Sequence, residues 1–326
     1  MVSVGIIGCG TIASEHAGCL HAMEGVAVRG YADLEEERAR AFLHKFGGSY
    51  HTHDPRKLLA DDAIDAVYIC THVDSHMDLG IAAARAGKHV MMEKPLALTL
   101  EECDRIVEEV EQSGVRFMTG FKLRFYPSVH RVRDFLPSPT LIVAQMMDTR
   151  WPDDFWGNDP IRGGGNVLSQ GCHTVDLVCH LMGSEPLSVR ASGGNMSHPG
   201  LDIVDTLAGT LHFPGGRIAS IVQADSGTAP LVSKFSFQLF DGTRTAHLHN
   251  RLRSVVLFDG RQTVESHDEE EQGLRAENEE FIDAIRSQRE PSCGVREGRR
   301  AMLILLRALQ SMHEGTPVDL VERQFP

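Results

Sequence analysis

The chain lacks features that several protein classes require. Its 326 residues carry 32 lysine and arginine against 45 aspartate and glutamate side chains, a formal charge of −13. Without a basic excess, no nucleic-acid partner is expected. No apolar run reaches the length of a bilayer span, and Met1 leads straight into a predicted strand rather than a signal pattern. We therefore expect a cytoplasmic protein with no membrane partner.

Cysteine is scarce and unpatterned. The seven cysteines are odd in number, scattered, and free of C-x-x-C pairs, so we predict reduced and largely buried thiols. Histidine is plentiful, but no spacing matches a closed structural zinc site, and no metal is predicted. The one acidic block, Asp268-Glu269-Glu270-Glu271, is predicted to be a solvated loop that leads into a helix.

A glycine-rich turn joins the first apolar run, Val4–Ile7, to a helical pattern. Backbone N–H groups at a helix start, together with the positive end of the helix dipole, form an anion site. Gly8 permits the tight turn, Gly10 leaves no Cβ between backbone and phosphate, and Ala13 keeps helix and strand close. The sequence therefore predicts a pyrophosphate cradle. Its predicted cofactor contacts are Gly8, Gly10, Thr11, Ile12 and Ala13.

A carboxylate follows about 20 residues beyond the turn, as a dinucleotide site requires. Asp33 stands at the end of the second predicted strand. There it would hydrogen-bond a ribose diol and repel a 2′-phosphate, which predicts NAD before NADP. Arg38 leaves NADP open, because it is close enough in sequence to offer a phosphate partner.

Strand and helix patterns alternate in the first part of the chain, which predicts a parallel sheet covered on both faces. Beyond Gly120 the pattern changes to strands separated by turn signals such as Pro214-Gly215-Gly216 and Asp241-Gly242. The predicted fold class is α/β. A doubly wound parallel-sheet domain at 1–121 precedes an α+β domain at 122–326 with a large, mostly antiparallel open sheet.

Lys94 lies in the run Glu93-Lys94-Pro95 at the C-terminal end of the fifth predicted strand. This is the edge at which doubly wound folds bind ligands. A lysine ammonium there can stabilise a developing alkoxide, polarise a ketone or relay a proton. From position alone, a surface lysine paired with Glu93 is an equally good interpretation.

A helix is predicted from about Asn166 to Met182, starting in a glycine run. On it Ser169, His173 and Asp176 have i+4 and i+3 spacing and share one face. Asp176 can orient the imidazole of His173, which is suited to accept a hydroxyl proton while hydride leaves the same carbon. A structural core histidine is the alternative.

These motifs run in order over nearly the whole chain and resemble the Gfo/Idh/MocA oxidoreductase family. The resemblance rests on the glycine turn, Asp33, Thr71 with His76, Glu93-Lys94-Pro95, Gly120 through Arg124 to Pro127, Gly163-Gly164-Gly165, and His173 with Asp176. It implies a Rossmann domain followed by an open-sheet domain, and NAD(P)-dependent redox chemistry on sugars, cyclitols or related polyols. It also implies a homodimer or homotetramer built through the C-terminal sheet.

The resemblance implies roles for individual residues. It assigns catalysis to Lys94 and His173, with Asp176 in support. The cofactor contacts expected beyond the glycine turn and Asp33 are Thr71, His72, His76, Glu93 and Lys94. The expected substrate contacts are Lys94, Arg124, Trp156, Ser169, Gln170 and His173. A domain-bridging salt link is the alternative for Arg124, and a subunit interface is the alternative for Trp156.

Two positions depart from the family pattern. Ser169 stands where many members carry an aspartate, so the expected site lacks one carboxylate, and His72 stands where proline is common. The predicted function is an NAD(P)-dependent dehydrogenase or reductase acting on CH–OH groups. An NAD-assisted glycosidase, recognised by sugar release without net NADH, and a non-catalytic NAD(P)-sensing regulator are the alternatives.

Overall fold

Six strands in the first part of the chain form one sheet. They are β1 (Val2–Ile7), β2 (Val26–Ala32), β3 (Tyr50–Thr52), β4 (Ala66–Ile69), β5 (His89–Met92) and β6 (Phe117–Thr119). Their order is β3-β2-β1-β4-β5-β6, and every neighbouring pair is parallel. The structure, a computed structural model, describes residues 1–227, 233–267 and 273–321. The doubly wound sheet predicted from the alternating pattern is confirmed.

Helices cover this sheet. They are α1 (Thr11–His21), α2 (Glu36–Phe46), α3 (Arg56–Leu59), α4 (His76–Arg85) and α5 (Leu100–Ser113). The ends of α5 follow from its sequence. Thr99 and Glu102 form a reciprocal capping box at its start, and Gly114 ends it in the left-handed region at φ 68°.

The carboxyl ends of the central strands are in register. Ile7 pairs with Ile69, and Ile69 pairs with Met92. The turns that follow β1, β4 and β5 therefore leave the sheet at one edge. Since neighbouring strands lie about 4.8 Å apart, the ends of β1 and β5 are about 10 Å apart.

A second sheet of nine strands follows. Its strands are β7 (Leu141–Met147), β8 (Ser188–Gly194), β9 (Thr206–His212), β10 (Ile218–Ala224), β11 (Phe235–Phe240), β12 (Thr245–His249), β13 (Ser254–Phe258), β14 (Thr263–His267) and β15 (Val318–Asp319). The order is β14-β13-β12-β11-β7-β10-β9-β8-β15, with only β7 and β10 parallel. The mostly antiparallel sheet is confirmed. The sequence pattern missed β14, which is polar and exposed, and β15, which has two residues.

The remaining helices are α6 (Pro127–Phe135), α7 (Gly165–Ser169), α8 (Gly171–Met182), α9 (Gly273–Arg286) and α10 (Val295–Glu314). The single helix predicted from Asn166 to Met182 is in fact α7 and α8, with the break at Gln170. Gly171, a poor helix former, follows the break. A Cβ on it would lie 3.3 Å from Cδ2 of Leu305.

The chain divides into two compact units. The first comprises Met1–Lys122 and Leu274–Arg299, and the second comprises Leu123–Gly273 and Arg300–Pro326. The predicted division at 121/122 lies close to the point where the chain first passes from one unit to the other. It misses that the chain returns to the first unit at Leu274–Arg299. The amphipathic pattern of α9 shows that one face is buried, not which sheet buries it.

Specific contacts fix this return in the first unit. Asn278 Oδ1 lies 3.1 Å from Nδ1 of His16, and the rings of Phe281 and Tyr68 meet edge-on at 5.6 Å. Thr119 Oγ1 donates a hydrogen bond of 3.0 Å to the carbonyl of Gly294. A side chain of α9, Asn278, therefore reaches a residue of α1.

Three further predictions concern the whole chain. All seven cysteines are free, and all but Cys19 are buried. The acidic block Asp268-Glu269-Glu270-Glu271 lies outside the described residues. In the described part of the chain, no helix combines the length and apolar character needed to cross a bilayer.

Candidate functional site

The glycine turn between β1 and α1 has the shape of an anion cradle. Gly8 has φ +86°, and a Cβ on it would lie 2.7 Å from the carbonyl oxygen of Cys70, so the turn itself requires glycine. A Cβ on Gly10 would meet nothing within 4 Å. Gly10 is also the N-cap of α1, and it provides no side-chain cap for the first N–H groups. Those donors and the space in front of them fit a pyrophosphate.

Asp33 is held beside this turn. Its Oδ2 accepts a 2.7 Å hydrogen bond from the backbone N–H of Cys9, and its Oδ1 accepts one of 2.9 Å from Glu35. The carboxylate is thereby fixed at the end of β2, where a ribose diol would reach it. Arg38, the candidate partner for a 2′-phosphate, forms an exposed ion pair of 2.7 Å with Glu35. These residues fit NAD.

His76 links the turns that follow β4 and β5. Its ring is buried, with Nδ1 2.9 Å from the carbonyl oxygen of Pro95 and Nε2 3.3 Å from that of Thr71. Burial lowers the pKa of His76, which favours a neutral ring. A neutral ring has one N–H and donates to one of these two carbonyls, and with both nitrogens directed at the backbone the geometry favours a positioning role for His76 over direct cofactor contact. Thr71 accepts a 2.7 Å bond from Ser75, and His72 is exposed.

Lys94 follows β5 and is half-buried. Its backbone N–H donates a 3.2 Å hydrogen bond to Oε2 of Glu93, whose Oε1 lies 3.1 Å from Nε2 of His16. Burial alone would raise the pKa of Glu93, but the hydrogen bond and charge of His16 outweigh it and hold the pKa below the ordinary value. Glu93 is therefore a fixed support beneath Lys94, whose bond to Pro95 is cis.

His173 and Asp176 lie on α8 in the second unit and are both buried. The carboxylate of Asp176 interacts with groups other than the imidazole of His173. Nε of Arg124 donates a 2.7 Å hydrogen bond to its Oδ2, and Nη2 of Arg124 bonds its Oδ1. Nη2 of Arg300 lies 3.6 Å from the same Oδ1. Asp176 thus accepts hydrogen bonds from the guanidinium of Arg124 and forms an ion pair with that of Arg300.

This pairing changes the interpretation of Arg124. Its side chain is buried and forms a bidentate ion pair with Asp176, and both residues belong to the second unit. The guanidinium that was expected to contact the substrate is used inside the protein, so the geometry favours a structural role. The alternative of a domain-bridging salt link does not describe this pair either.

Ser169 and Gln170 are separated from the face of α8 by the helix break. Ser169 ends α7 and is buried, and Gln170 stands between the helices. The N–H of His173 donates a 3.0 Å hydrogen bond to the carbonyl of Gln170. The three residues stay close along the chain, but they do not form the continuous helical stripe that their spacing predicted.

The loop between β7 and α7 carries an aromatic cluster. Phe155 meets Trp151 edge-on at 5.1 Å and Trp156 at 5.2 Å. Trp156 is 39% exposed, so part of its ring faces solvent and is available to a sugar ring. This exposure fits the predicted substrate contact.

Sequence reasoning missed two supporting residues, and each had a signal. His16 lies on the buried stripe of α1 with Ala13, Ala17 and Leu20, where a polar side chain needs a partner. Arg300 lies in α10, and nothing in its local sequence points to Asp176, which is distant along the chain.

Known proteins match both parts of this chain. Residues 2–121 match the Gfo/Idh/MocA model described as an oxidoreductase family with an NAD-binding Rossmann fold, and residues 143–320 match its C-terminal alpha/beta domain. Myo-inositol 2-dehydrogenase of Thermotoga maritima is 28% identical over 331 residues, covering 98% of each chain. D-xylose 1-dehydrogenase (NADP(+)) 2 of Haloferax volcanii is 29% identical over 305 residues, covering 89% of this chain and 90% of that one.

Solved structures share the fold. Levoglucosan dehydrogenase in complex with NADH aligns with a TM-score of 0.91 at 20% identity, over 98% of this chain and 99% of that one. The domain models cover the cradle at Gly8, Lys94 and the helix of His173 alike. The chain belongs to the Gfo/Idh/MocA oxidoreductase family, with an NAD-binding Rossmann domain ahead of the family's C-terminal α/β domain.

Proposed function

We propose that this oxidoreductase is an NAD-dependent dehydrogenase of a neutral sugar or cyclitol, in which residues 1–121 bind cofactor and residues 122–326 bind substrate and mediate oligomerisation. One observation carries the proposal. The cradle at Gly8 and the side chain of Lys94 follow strands whose ends are in register, about 10 Å apart at one sheet edge. A nucleotide whose phosphates lie on α1 can extend along this edge towards Lys94.

Two side chains of this protein would handle the substrate hydroxyl. Bound NAD⁺ supplies the hydride acceptor for a carbinol C–H. Lys94 donates a hydrogen bond to the carbinol oxygen and stabilises the charge that develops there. His173 accepts the hydroxyl proton as the carbon loses hydride, so that a carbonyl forms. The carboxylate of Glu93 holds Lys94 in place by accepting a hydrogen bond from the backbone N–H of Lys94.

The surroundings of His173 favour an uncharged substrate. Asp176 pairs with Arg124, and Arg300, which also faces Asp176, pairs with Glu185 at 3.4 Å. Ser169 and Gln170 bring no charge. Trp156 offers an aromatic face, which suits the C–H face of a sugar or cyclitol ring. The relatives named for myo-inositol and D-xylose act on neutral polyols, and this supports the same substrate class here.

A panel of inositols, aldoses, amino sugars and sugar acids tests the proposal. NADH or NADPH formation is followed by absorbance with each cofactor. We expect turnover with a neutral polyol and a higher kcat/KM with NAD⁺ than with NADP⁺. Turnover confined to sugar acids would contradict the neutral site, and sugar release without net NADH would indicate a glycosidase.

The assembly proposal is a homodimer or homotetramer through the nine-stranded sheet. Burial alternates along β7, and the face that carries Val143 also carries Ile218 and Phe258, which are 38%, 37% and 40% exposed. Light scattering after size exclusion should give a multiple of the 35.9 kDa chain mass, reduced in Val143→Lys. A monomer at micromolar concentration would contradict it. A cytoplasmic location is also proposed, in keeping with seven free cysteines.

A further inference from the structure

His198 joins two loops of the second unit through its ring. It lies between β8 and β9, and its side chain is buried. Nδ1 lies 2.7 Å from Oδ1 of Asp153, and Nε2 lies 2.8 Å from Oδ2 of Asp225. Neither the sequence motifs nor the proposed chemistry uses this residue.

The contacts with Asp153 and Asp225 indicate the protonation state of the His198 ring. An ionised carboxylate only accepts hydrogen bonds, and a neutral imidazole has a single N–H to donate. A ring that donates to two ionised carboxylates therefore carries both protons. Burial raises the pKa of Asp225, whereas the hydrogen bond to His198 lowers the pKa of Asp153. Burial alone would lower the pKa of His198, but the hydrogen bonds to Asp153 and Asp225 outweigh it, and the pKa is raised.

Other charged groups around His198 are also engaged. Its backbone N–H donates a 2.9 Å hydrogen bond to Oδ2 of Asp205, which also accepts the N–H of Ser197 at 2.8 Å. Arg150 donates through Nη2 to Asp153 at 2.6 Å and through Nε to the carbonyl of Ser197 at 3.0 Å. Oδ1 of Asp205 accepts from the N–H of Met196 at 2.9 Å and from the hydroxyl of Thr206 at 2.8 Å, so both carboxylate oxygens are used by donors of the protein itself.

Asp153 belongs to the loop between β7 and α7 that carries both tryptophans of the chain. The same loop is held a second time by Asp225, whose Oδ2 accepts the N–H of Trp151 at 3.3 Å. Asp225 follows β10 and is buried, so it is a rigid anchor. The ring of His198 lies between this buried carboxylate and the 63% exposed side chain of Asp153.

We propose that protonated His198 is a positioning residue that fastens the tryptophan loop to the end of β10. The consequence for substrate binding rests on the proposed function, because it requires Trp156 to contact the polyol. The fastening of the loop by His198 does not depend on the proposed function. Since the protonated ring is the one favoured by the fold, the fastening is present below the ordinary histidine pKa and is lost as the pH rises through the raised pKa of His198.

Tryptophan fluorescence tests the proposal directly, because Trp151 and Trp156 are the two tryptophans of the chain. The whole protein is titrated without substrate from about pH 6 to about pH 10, across the range in which a raised histidine pKa falls. We expect one transition to longer wavelength, with stronger acrylamide quenching at high pH. His198→Gln should remove the transition and show the high-pH spectrum throughout.

A surface variant keeps the test independent of folding. Asp153→Asn removes one carboxylate from the ring and should shift the midpoint down by about 0.5 to 1 pH unit. Asp154→Asn removes the same charge from the neighbouring exposed position and should leave the midpoint unchanged. Histidine NMR should show that His198 in the wild type titrates above the ordinary histidine pKa.

Several results would overturn the proposal. They are equal midpoints in the two aspartate variants, a His198 pKa at or below the ordinary histidine value, or a transition that persists in His198→Gln. A stoichiometric divalent metal in the purified protein, with fluorescence that follows chelator rather than pH, would show that a cation and not a proton holds the loop. None of these measurements needs turnover, so they stand apart from the dehydrogenase assay.

Discussion

Arg124 places its guanidinium on both carboxylate oxygens of Asp176, with side chains only 5% and 1% exposed. Arg124, which was expected to contact the substrate, and Asp176, which was expected to support His173, are thus bound to each other. A buried bidentate pair is costly to break, because the remaining partner keeps an uncompensated charge. Its first consequence is for stability.

Arg124→Met should lower the free energy of unfolding by about 3–5 kcal/mol, because it leaves Asp176 facing only the more distant Arg300. Denaturant unfolding followed by circular dichroism measures the loss. Arg133→Met, on the neighbouring α6, is the matched control and should cost much less. If Arg124→Met unfolds like the wild type and only raises KM, Arg124 is a substrate ligand after all.

Alanine substitutions at Gly8 and Gly10 should separate the stability of the turn from its ability to bind cofactor. Gly8→Ala puts a Cβ 2.7 Å from the carbonyl oxygen of Cys70 at a φ of +86°, and should destabilise the first unit by about 1–3 kcal/mol. Gly10→Ala meets no protein atom within 4 Å, so stability should be nearly unchanged. Its methyl would occupy the phosphate's space, and NAD⁺ affinity should fall about tenfold or more.

Calorimetry of binding and thermal unfolding measure both effects on the same preparations. Equal NAD⁺ affinity in Gly10→Ala and the wild type would show that no phosphate approaches this turn.

Asp33 sets cofactor preference in this account. Asp33→Ala should weaken NAD⁺ binding about tenfold or more, because a hydrogen bond to a charged group is lost. NADP⁺ binding should be unchanged or improved, since the repulsion of the 2′-phosphate disappears. The ratio of the two dissociation constants is the measurement, with Glu35→Ala as a control that releases Arg38. A ratio unmoved in Asp33→Ala would remove this residue from the ribose site.

The lowered pKa of Glu93 predicts that the protein loses stability in acid. Its folded pKa is lowered, so its contribution to stability is present above the unfolded pKa and is lost as the pH falls through the folded value. The thermal midpoint of the wild type should therefore fall more steeply in acid than that of Glu93→Gln, by about 2–4 °C. Glu101→Gln, exposed on α5, should follow the wild type. Parallel curves for all three proteins would contradict the role given to His16 and Glu93.

Local patterns in the sequence predicted the fold of the first unit well. Gly8, Gly10 and Asp33 belong to a short strand-turn-helix-strand unit, whose geometry is set by residues close in sequence. Lys94 could be placed at the sheet edge for the same reason, because parallel strands of a doubly wound sheet end together. The roles of these residues in binding and catalysis remain predictions.

Contacts between distant residues could not be predicted in the same way. Asp176 was assigned to His173 on helical spacing, whereas Arg124 and Arg300 approach it from elsewhere in the second unit. The break at Gln170 also separated Ser169 from the predicted stripe. Helical periodicity gives the face of a side chain, but it contains no information about which distant charge reaches that face.

The most direct test of the central claim follows the hydrogen itself. The protein is incubated with NAD⁺ and the best substrate of the polyol panel, deuterated at every carbinol carbon, and the NADH is analysed by mass spectrometry. We predict a single deuterium in each NADH, and a kcat at least about 10³-fold lower in Lys94→Met at unchanged NAD⁺ affinity. Unlabelled NADH, or undiminished turnover in Lys94→Met, would contradict the account.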